Sequence, residues 1–189
     1  MSQTVFIKGY IDKLKNLLDN LDIDSIKEII SLLENTQKSG GIIYIIGNGG
    51  SAATASQMAN DLNVGLKRRK IRKFNVVSLA DNSSVCTAIS NDIGFDNIFY
   101  MQLEDVICEK DLLISISCSG NSPNIIKAVN YAKSKNVKTI GCTGFDGGEL
   151  KKLTDINFHV DTPAGEYGLV EDIHMILDHI IYSYYISLD

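Results

Sequence analysis

Over residues 1–40 the apolar positions recur at helical spacing. Phe6, Tyr10, Ile11, Leu14, Leu17 and Leu18 return every three or four residues, as one face of a helix requires. Ile26, Ile29, Ile30, Leu32 and Leu33 form a second such series, with Asp24 or Ser25 able to cap its start. Gly40-Gly41 ends it. After Gly41 the period changes. Ile42-Ile43-Tyr44-Ile45-Ile46 is an unbroken apolar run, as expected of a strand covered on both faces. A helix is predicted over roughly 51–63, then a strand over 74–79 and a helical stretch near 83–91. A strand over 112–116, a helix over 123–135, a strand over 138–142 and a short helix near 148–153 continue the pattern. A strand over 156–160 and a long helix over 167–188 complete it. The last helix is amphipathic, with Ile173, Ile176, Leu177, Ile180 and Ile181 on its core side. Strands alternating with helices predict an α/β fold, a doubly wound parallel sheet with right-handed crossovers. Residues 1–189 are expected to form one domain. The helical pair over 1–40 carries apolar surface that must pack on the sheet or on another subunit.

Composition narrows the partners. The formal net charge is -5, and a nucleic-acid surface usually needs a basic face, so no nucleic-acid partner is expected. The one basic run, Lys67-Arg68-Arg69-Lys70-Ile71-Arg72-Lys73, is the solvated link between a helix and a strand, or a rim that attracts phosphate. Cys86, Cys108, Cys118 and Cys142 form no CxxC pair, so they read as free thiols in a reducing compartment. The N-terminus lacks a signal-peptide pattern and no apolar run is long enough to span a bilayer. The expected location is the cytoplasm, with no membrane partner.

Two strand ends carry unusual loops, and ligands of an open parallel sheet bind beyond the carboxyl ends of its strands. The first is Gly47-Asn48-Gly49-Gly50-Ser51. Its glycines let the backbone approach an anion, and the helix start that follows offers free N–H groups. It lacks both the dinucleotide spacing and the P-loop lysine, so no nucleotide cofactor is expected. The second is Ser115-Ile116-Ser117-Cys118-Ser119-Gly120-Asn121-Ser122-Pro123. Ser122 could be a simple N-cap before Pro123. A whole run of hydroxyls around a glycine reads instead as a phosphate cradle without positive charge. Asn48, Gly49, Gly50, Ser51, Ser117, Cys118, Ser119 and Ser122 are the candidate phosphate-binding residues.

In order along the chain, GNGGSAATASQMANDL, AISNDIGFDNIF, DLLISISCSGNSPNIIKAV, TGFDGGELKKL and VEDIHMILDHII resemble the SIS-domain sugar isomerases, and within them the bacterial phosphoheptose isomerases. The resemblance runs from about Gly41 to the C-terminus, and the N-terminal helical pair also fits. It implies a flavodoxin-like, three-layer, five-stranded parallel sheet and a homotetramer in which the helices of 1–40 make contacts. It implies interconversion of sedoheptulose 7-phosphate and D-glycero-D-manno-heptose 7-phosphate for lipopolysaccharide or capsule precursors. Cys118 stands where the family usually has Thr, which removes one hydroxyl donor.

Aldose–ketose isomerisation through an enediol needs a base at carbon and a group that moves protons at oxygen. Gln57 and Asp61 are spaced i, i+4 on one predicted helix and should share a face. Glu171 and His179 lie about two turns apart on the last helix, with His174 and Asp178 nearby. Alone, His179 among isoleucines would be a packing residue. The resemblance makes Asp61 and His179 the acid/base pair, where the family has Glu and His. Some members bind zinc there, using His at the position of Gln57 and Gln at that of Glu171. In this chain Gln57, Asp61, Glu171 and His179 could hold Zn²⁺ or a harder divalent ion. The catalytic candidates are Asp61, His179 and Glu171. Asp92 matches a family substrate contact, and is otherwise a turn residue before Gly94. Gly65 and Gly168 stand where the family often has Arg and Asp. Two alternatives follow from these departures: an isomerase of another sugar phosphate, or a non-catalytic SIS protein that binds the replication initiator.

Overall fold

The structure is a computed structural model and describes residues 2–188. Helix α1 (Gln3–Asp19) and helix α2 (Ile23–Lys38) precede strand β1 (Ile43–Gly47). Helix α3 (Gly50–Ala59) runs into a π-helical segment, Asn60–Gly65, and a single further turn, α4 (Leu66–Arg68). Strand β2 (Val76–Ser78), helix α5 (Ser83–Asp92), a 3₁₀ turn (Phe95–Asn97) and helix α6 (Tyr100–Leu103) follow. Strand β3 (Leu112–Ser117), helix α7 (Pro123–Ser134), strand β4 (Lys138–Phe145) and helix α8 (Leu150–Leu153) come next. Strand β5 (Ile156–Asp161) and helix α9 (Tyr167–Ile186) close the chain.

All strand pairs are parallel, in the order β2-β1-β3-β4-β5. The expected doubly wound sheet is therefore present, with helices on both faces. Side chains alternate across it as the pleat demands. Ile43, Ile45, Leu112, Ile114 and Ile116 share one core with α2, α3 and α9. Tyr44, Ile46 and Leu113 share the other with α6 and α7. The chain reverses direction of winding between β1 and β3, and Gly47 at the end of β1 pairs with Ile116 near the end of β3. This is the switch point at which doubly wound sheets hold ligands.

The predicted helix 51–63 is interrupted. Its second half, from Asn60 to Gly65, opens into the π segment. Gly65 lies at the end of that segment, and a Cβ there would come within 3.0 Å of the Tyr182 hydroxyl. The predicted strand 74–79 shrinks to Val76–Ser78, because β2 is an edge strand that pairs with β1 alone. Strand β4 outruns its predicted end and reaches Phe145, because β5 continues to pair with it there. Helix α6 was not predicted. It is one turn long, too short for a period to show.

Helix α1 packs on α9 from outside. The Tyr10 hydroxyl donates a 2.6 Å hydrogen bond to Asp172 Oδ2, and Lys13 pairs with Glu166. A Cβ at Gly168 would meet that same hydroxyl at 3.1 Å. Tyr182 and Tyr10 thus stand close to where a side chain at Gly65 or Gly168 would begin. No residue of α1 is buried within the chain, and Val5, Phe6, Ile7 and Ile11 are exposed. Among the described residues no helix is long and apolar enough to cross a membrane.

Candidate active site

The loops after β1 and β3 face each other across the switch point. Asn48 and Asn124 join them, each amide donating a 2.9 Å hydrogen bond to the other's carbonyl oxygen. Gly49, just before α3, has φ 54 and ψ -123, a conformation that a Cβ disfavours, and no side chain caps the helix. Helix α7 also starts without a side-chain cap. Ser122 holds the N-cap position, but its side chain makes no capping bond. Its Oγ instead lies 3.4 Å from Ser117 Oγ. Two uncapped helix starts thus meet at one place, and each presents the positive end of a helix dipole.

Between them is a cavity of about 180 Å³, lined by Asn48, Ser51, Ser117, Cys118, Ser119 and Ser122, with Ile116, Tyr167 and Glu171. Drug-sized sites begin near ~300 Å³, so one chain encloses a phosphoryl-sized group and not a whole sugar. Its shape depends on the backbone behind it. Gly120 has φ 63, and a Cβ there would lie 2.0 Å from the Gly147 carbonyl oxygen. Leu150 N–H donates to Gly120 O at 2.9 Å, and Glu149 N–H donates to Asn121 Oδ1 at 3.0 Å. The TGFDGGEL stretch is thus the wall against which the serine loop is set. Phe145 ends β4 at φ 55, unusual for a bulky residue, and its ring meets that of Tyr167, a cavity-lining residue, edge-on at 4.9 Å.

Two features of this cavity differ from a simple phosphate cradle. Burial pushes the Cys118 thiol up to about 11, helped by the charge of Glu171. Cys118 is therefore a protonated, weak donor at neutral pH. The second is Glu171 itself. A Cβ at Gly50 would fall 2.3–2.4 Å from the Glu171 carboxylate, so that carboxylate rests against the first turn of α3. An acid at a helix N-terminus is stabilised there, and it sits where an incoming phosphate would gather its donors.

A second group of side chains lies on α9 and the π segment. A carboxylate oxygen of Asp61, one of Asp178 and a ring nitrogen of His179 lie within 4.8 Å of one another. Asp61 and Asp178 are buried and His179 is exposed. Burial, and then the charge of Asp61, pushes the Asp178 carboxyl up to about 7. Asn60 donates a 3.1 Å hydrogen bond to Asp61 Oδ1.

The structure brings Asp61, Asp178 and His179 together. Glu171 lies instead with the serines, and Gln57 stays on α3, half-buried. Asp92 is exposed at the end of α5 and does not line the serine cavity. His174 is fully buried, and burial pushes it down to about 4, so it is a neutral packing residue whose Nε2 lies 3.3 Å from Thr143 O. Three contributors escaped the sequence reading as site residues: Asn124, Tyr167 and Asp178. Asp178 did leave a signal, a carboxylate on the apolar side of α9 between Leu177 and Ile181.

Comparisons with known proteins agree with this geometry. A family model described as "SIS domain" matches residues 9–144. Phosphoheptose isomerase of Aliarcobacter butzleri is 41% identical over 146 residues, 77% of this chain and 76% of that protein. The protein of the same name from Helicobacter pylori (strain P12) is 36% identical and covers 90% of this chain and 86% of its own. The solved phosphoheptose isomerase of Neisseria gonorrhoeae superposes with a TM-score of 0.84 at 28% identity, over 97% of this chain and 96% of that one.

Proposed function

The chain belongs to the SIS-domain family, among the phosphoheptose isomerases, and from that premise we propose that it interconverts sedoheptulose 7-phosphate and D-glycero-D-manno-heptose 7-phosphate. It is an aldose–ketose isomerase that serves heptose precursors, those of lipopolysaccharide or capsule. The observation that carries this reading is the meeting of two uncapped helix starts at the switch point, lined by Ser51, Ser117, Ser119 and Ser122. Such a site takes the phosphate through N–H and hydroxyl donors, without a lysine or arginine in its lining.

The reacting end is assigned to Asp61 and His179. Asp61 removes the proton from the carbon next to the carbonyl, and His179 moves a proton between the two oxygens of the enediol. Asp61 suits the base role better than Glu171 because its carboxylate is the one close to the imidazole. Glu171 lies among the phosphate donors and adjusts the charge that the cradle accepts. The buried Asp61–Asp178 pair and the exposed imidazole are oxygen and nitrogen donors that suit a divalent ion such as Zn²⁺. Bound there, such an ion would polarise the sugar's oxygens.

Contacts between subunits are also part of the reading. The exposed apolar residues Val5, Phe6, Ile7 and Ile11 of α1 support helices of residues 1–40 that pack in a homotetramer, which native mass spectrometry would test. A cytoplasmic enzyme fits the four free cysteines. The deciding experiment is incubation of the pure protein with sedoheptulose 7-phosphate, with product aldose followed by NMR. No conversion with any divalent ion, together with recovery of the replication initiator in a pull-down, would move the assignment to the binding role.

A further inference from the structure

The phosphate cavity has one wall that a phosphate ion does not need. Its polar lining, Asn48, Ser51, Ser117, Ser119 and Ser122, meets an anion with N–H and O–H donors. Of its apolar lining, Ile116 and Cys118 are buried, whereas Tyr167 is 54% exposed. Tyr167 is the first residue of α9 and Glu171 stands one turn further on, so both meet the cavity from the same side of that helix. A single exposed aromatic is ordinary on a protein surface. This ring, however, is held from two directions. The Phe145 ring meets it edge-on, with centroids 4.9 Å apart and planes at 84°. A Cβ on Gly144 would fall 2.6 Å from both methyls of Val170, so the bare backbone of β4 lets the first turn of α9 lie directly on it.

Phe145 itself is strained. Gly147 N–H donates to Gly144 O at 2.8 Å, which makes Phe145 the second residue of a tight turn, at φ 55. A positive φ there favours glycine, asparagine or aspartate. The other described non-glycine residues at positive φ, Lys70, Asp105 and Asn136, are exposed polar side chains, whereas Phe145 is 8% exposed. Strained backbone of this kind gathers at ligand clamps, and here the strained residue seats the Tyr167 ring.

We propose that Tyr167 is a substrate-contacting residue that makes the cavity select a phosphate ester over free phosphate, and that Phe145 is its positioning residue. Half exposed while lining the cavity, the ring stands at its mouth. With the phosphoryl group among the serines, the first carbon of the ester leaves through that mouth. Its methylene is apolar, and the Tyr167 ring is the apolar surface it meets there. An aromatic wall beside a few placed polar groups is the usual lining of a small-molecule site. A bare phosphate brings no such carbon and gains nothing from the ring. The ligand class is therefore the terminal phosphomonoester of an open-chain sugar or polyol. The inference rests on the sugar-phosphate ligand of the isomerase reading and not on turnover.

The full chain is titrated calorimetrically with inorganic phosphate and with ribitol 5-phosphate, an open-chain ester that has no carbonyl to isomerise. Tyr167→Ala should weaken binding of the ester about 5-fold and that of the ion less than about 2-fold. Tyr167→Phe keeps the ring and should keep the wild-type ratio of the two affinities. Phe145→Leu should lower that ratio too, and should lower it no further in the Tyr167→Ala background, because it acts through that ring. A merely structural Phe145 would lower the melting temperature and leave the ratio unmoved. Tyr167→Ala should melt within about 3 °C of the wild type, as a half-exposed side chain allows, which verifies that the variant folds. An unchanged ratio of ester to ion affinity in Tyr167→Ala, or additive effects of the two substitutions, overturns the inference. Ester selection through Tyr167 without conversion of sedoheptulose 7-phosphate would support it and count against the isomerase reading alone.

Discussion

Asn48 and Asn124 hold the two halves of the phosphate cradle together through a reciprocal pair of amide hydrogen bonds, both 2.9 Å. One comes from the loop after β1 and the other from the first turn of α7. Asn124 is 1% exposed, and its Oδ1 also accepts from Ile125 N–H at 3.0 Å. Asn124→Ala would leave the Asn48 amide without its partner. The expected cost is about 2–3 kcal/mol of stability and a raised KM for the sugar phosphate, read by denaturant melts and steady-state kinetics. A raised KM with unchanged stability would show that the pair positions the loops without supporting the fold.

Cys118→Thr should return the missing hydroxyl to the cradle. The thiol is 5% exposed, and Thr is close to it in volume. One added neutral hydrogen bond to phosphate is worth about 1 kcal/mol, so affinity for inorganic phosphate should rise about 5-fold by calorimetry. No gain would mean that residue 118 does not face the anion.

Glu171→Gln removes a negative charge from the same cavity. Inorganic phosphate should then bind at least about 10-fold more tightly, since like charges a few ångströms apart repel by that order or more. The kcat of isomerisation should change little if Asp61 is the base. A collapse of kcat with unchanged KM would transfer the base role to Glu171.

His174 ties stability to pH. Its folded pKa is lowered from 6.5 to about 4 by burial. The folded chain keeps it neutral while the unfolded chain takes up a proton below pH 6.5. Its contribution is thus fully present above pH 6.5 and is lost as pH falls towards 4, up to about 3 kcal/mol. His174→Gln keeps a donor near Thr143 O and should flatten the fall of melting temperature over that window. An equal slope in both proteins would exclude His174 as its source.

Much of the fold could be read from local pattern. The period change at Gly41 marks the first strand because a strand buried on both faces needs a continuous apolar run. The loops Gly47–Ser51 and Ser117–Ser122 were legible as anion sites because their chemistry is concentrated in adjacent residues at strand ends. The departures at Gly65 and Gly168 were visible as missing side chains. The neighbours of those two glycines were not, because Tyr182 and Tyr10 reach them from distant parts of the chain.

The amino-acid sequence by itself determined the alternation of strands and helices, the place of the phosphate loops and the presence of an acid and an imidazole on the last helix. Those features depend on backbone periodicity and on neighbours a few residues away. Only the tertiary structure decided which acid does what. It opened the helix after Ala59 into a π turn, set Asp61 against Asp178 and left the Glu171 carboxylate beside Gly50. The environment of a charged group is made by whatever packs on it, and here the packing partners are more than a hundred residues apart in the chain.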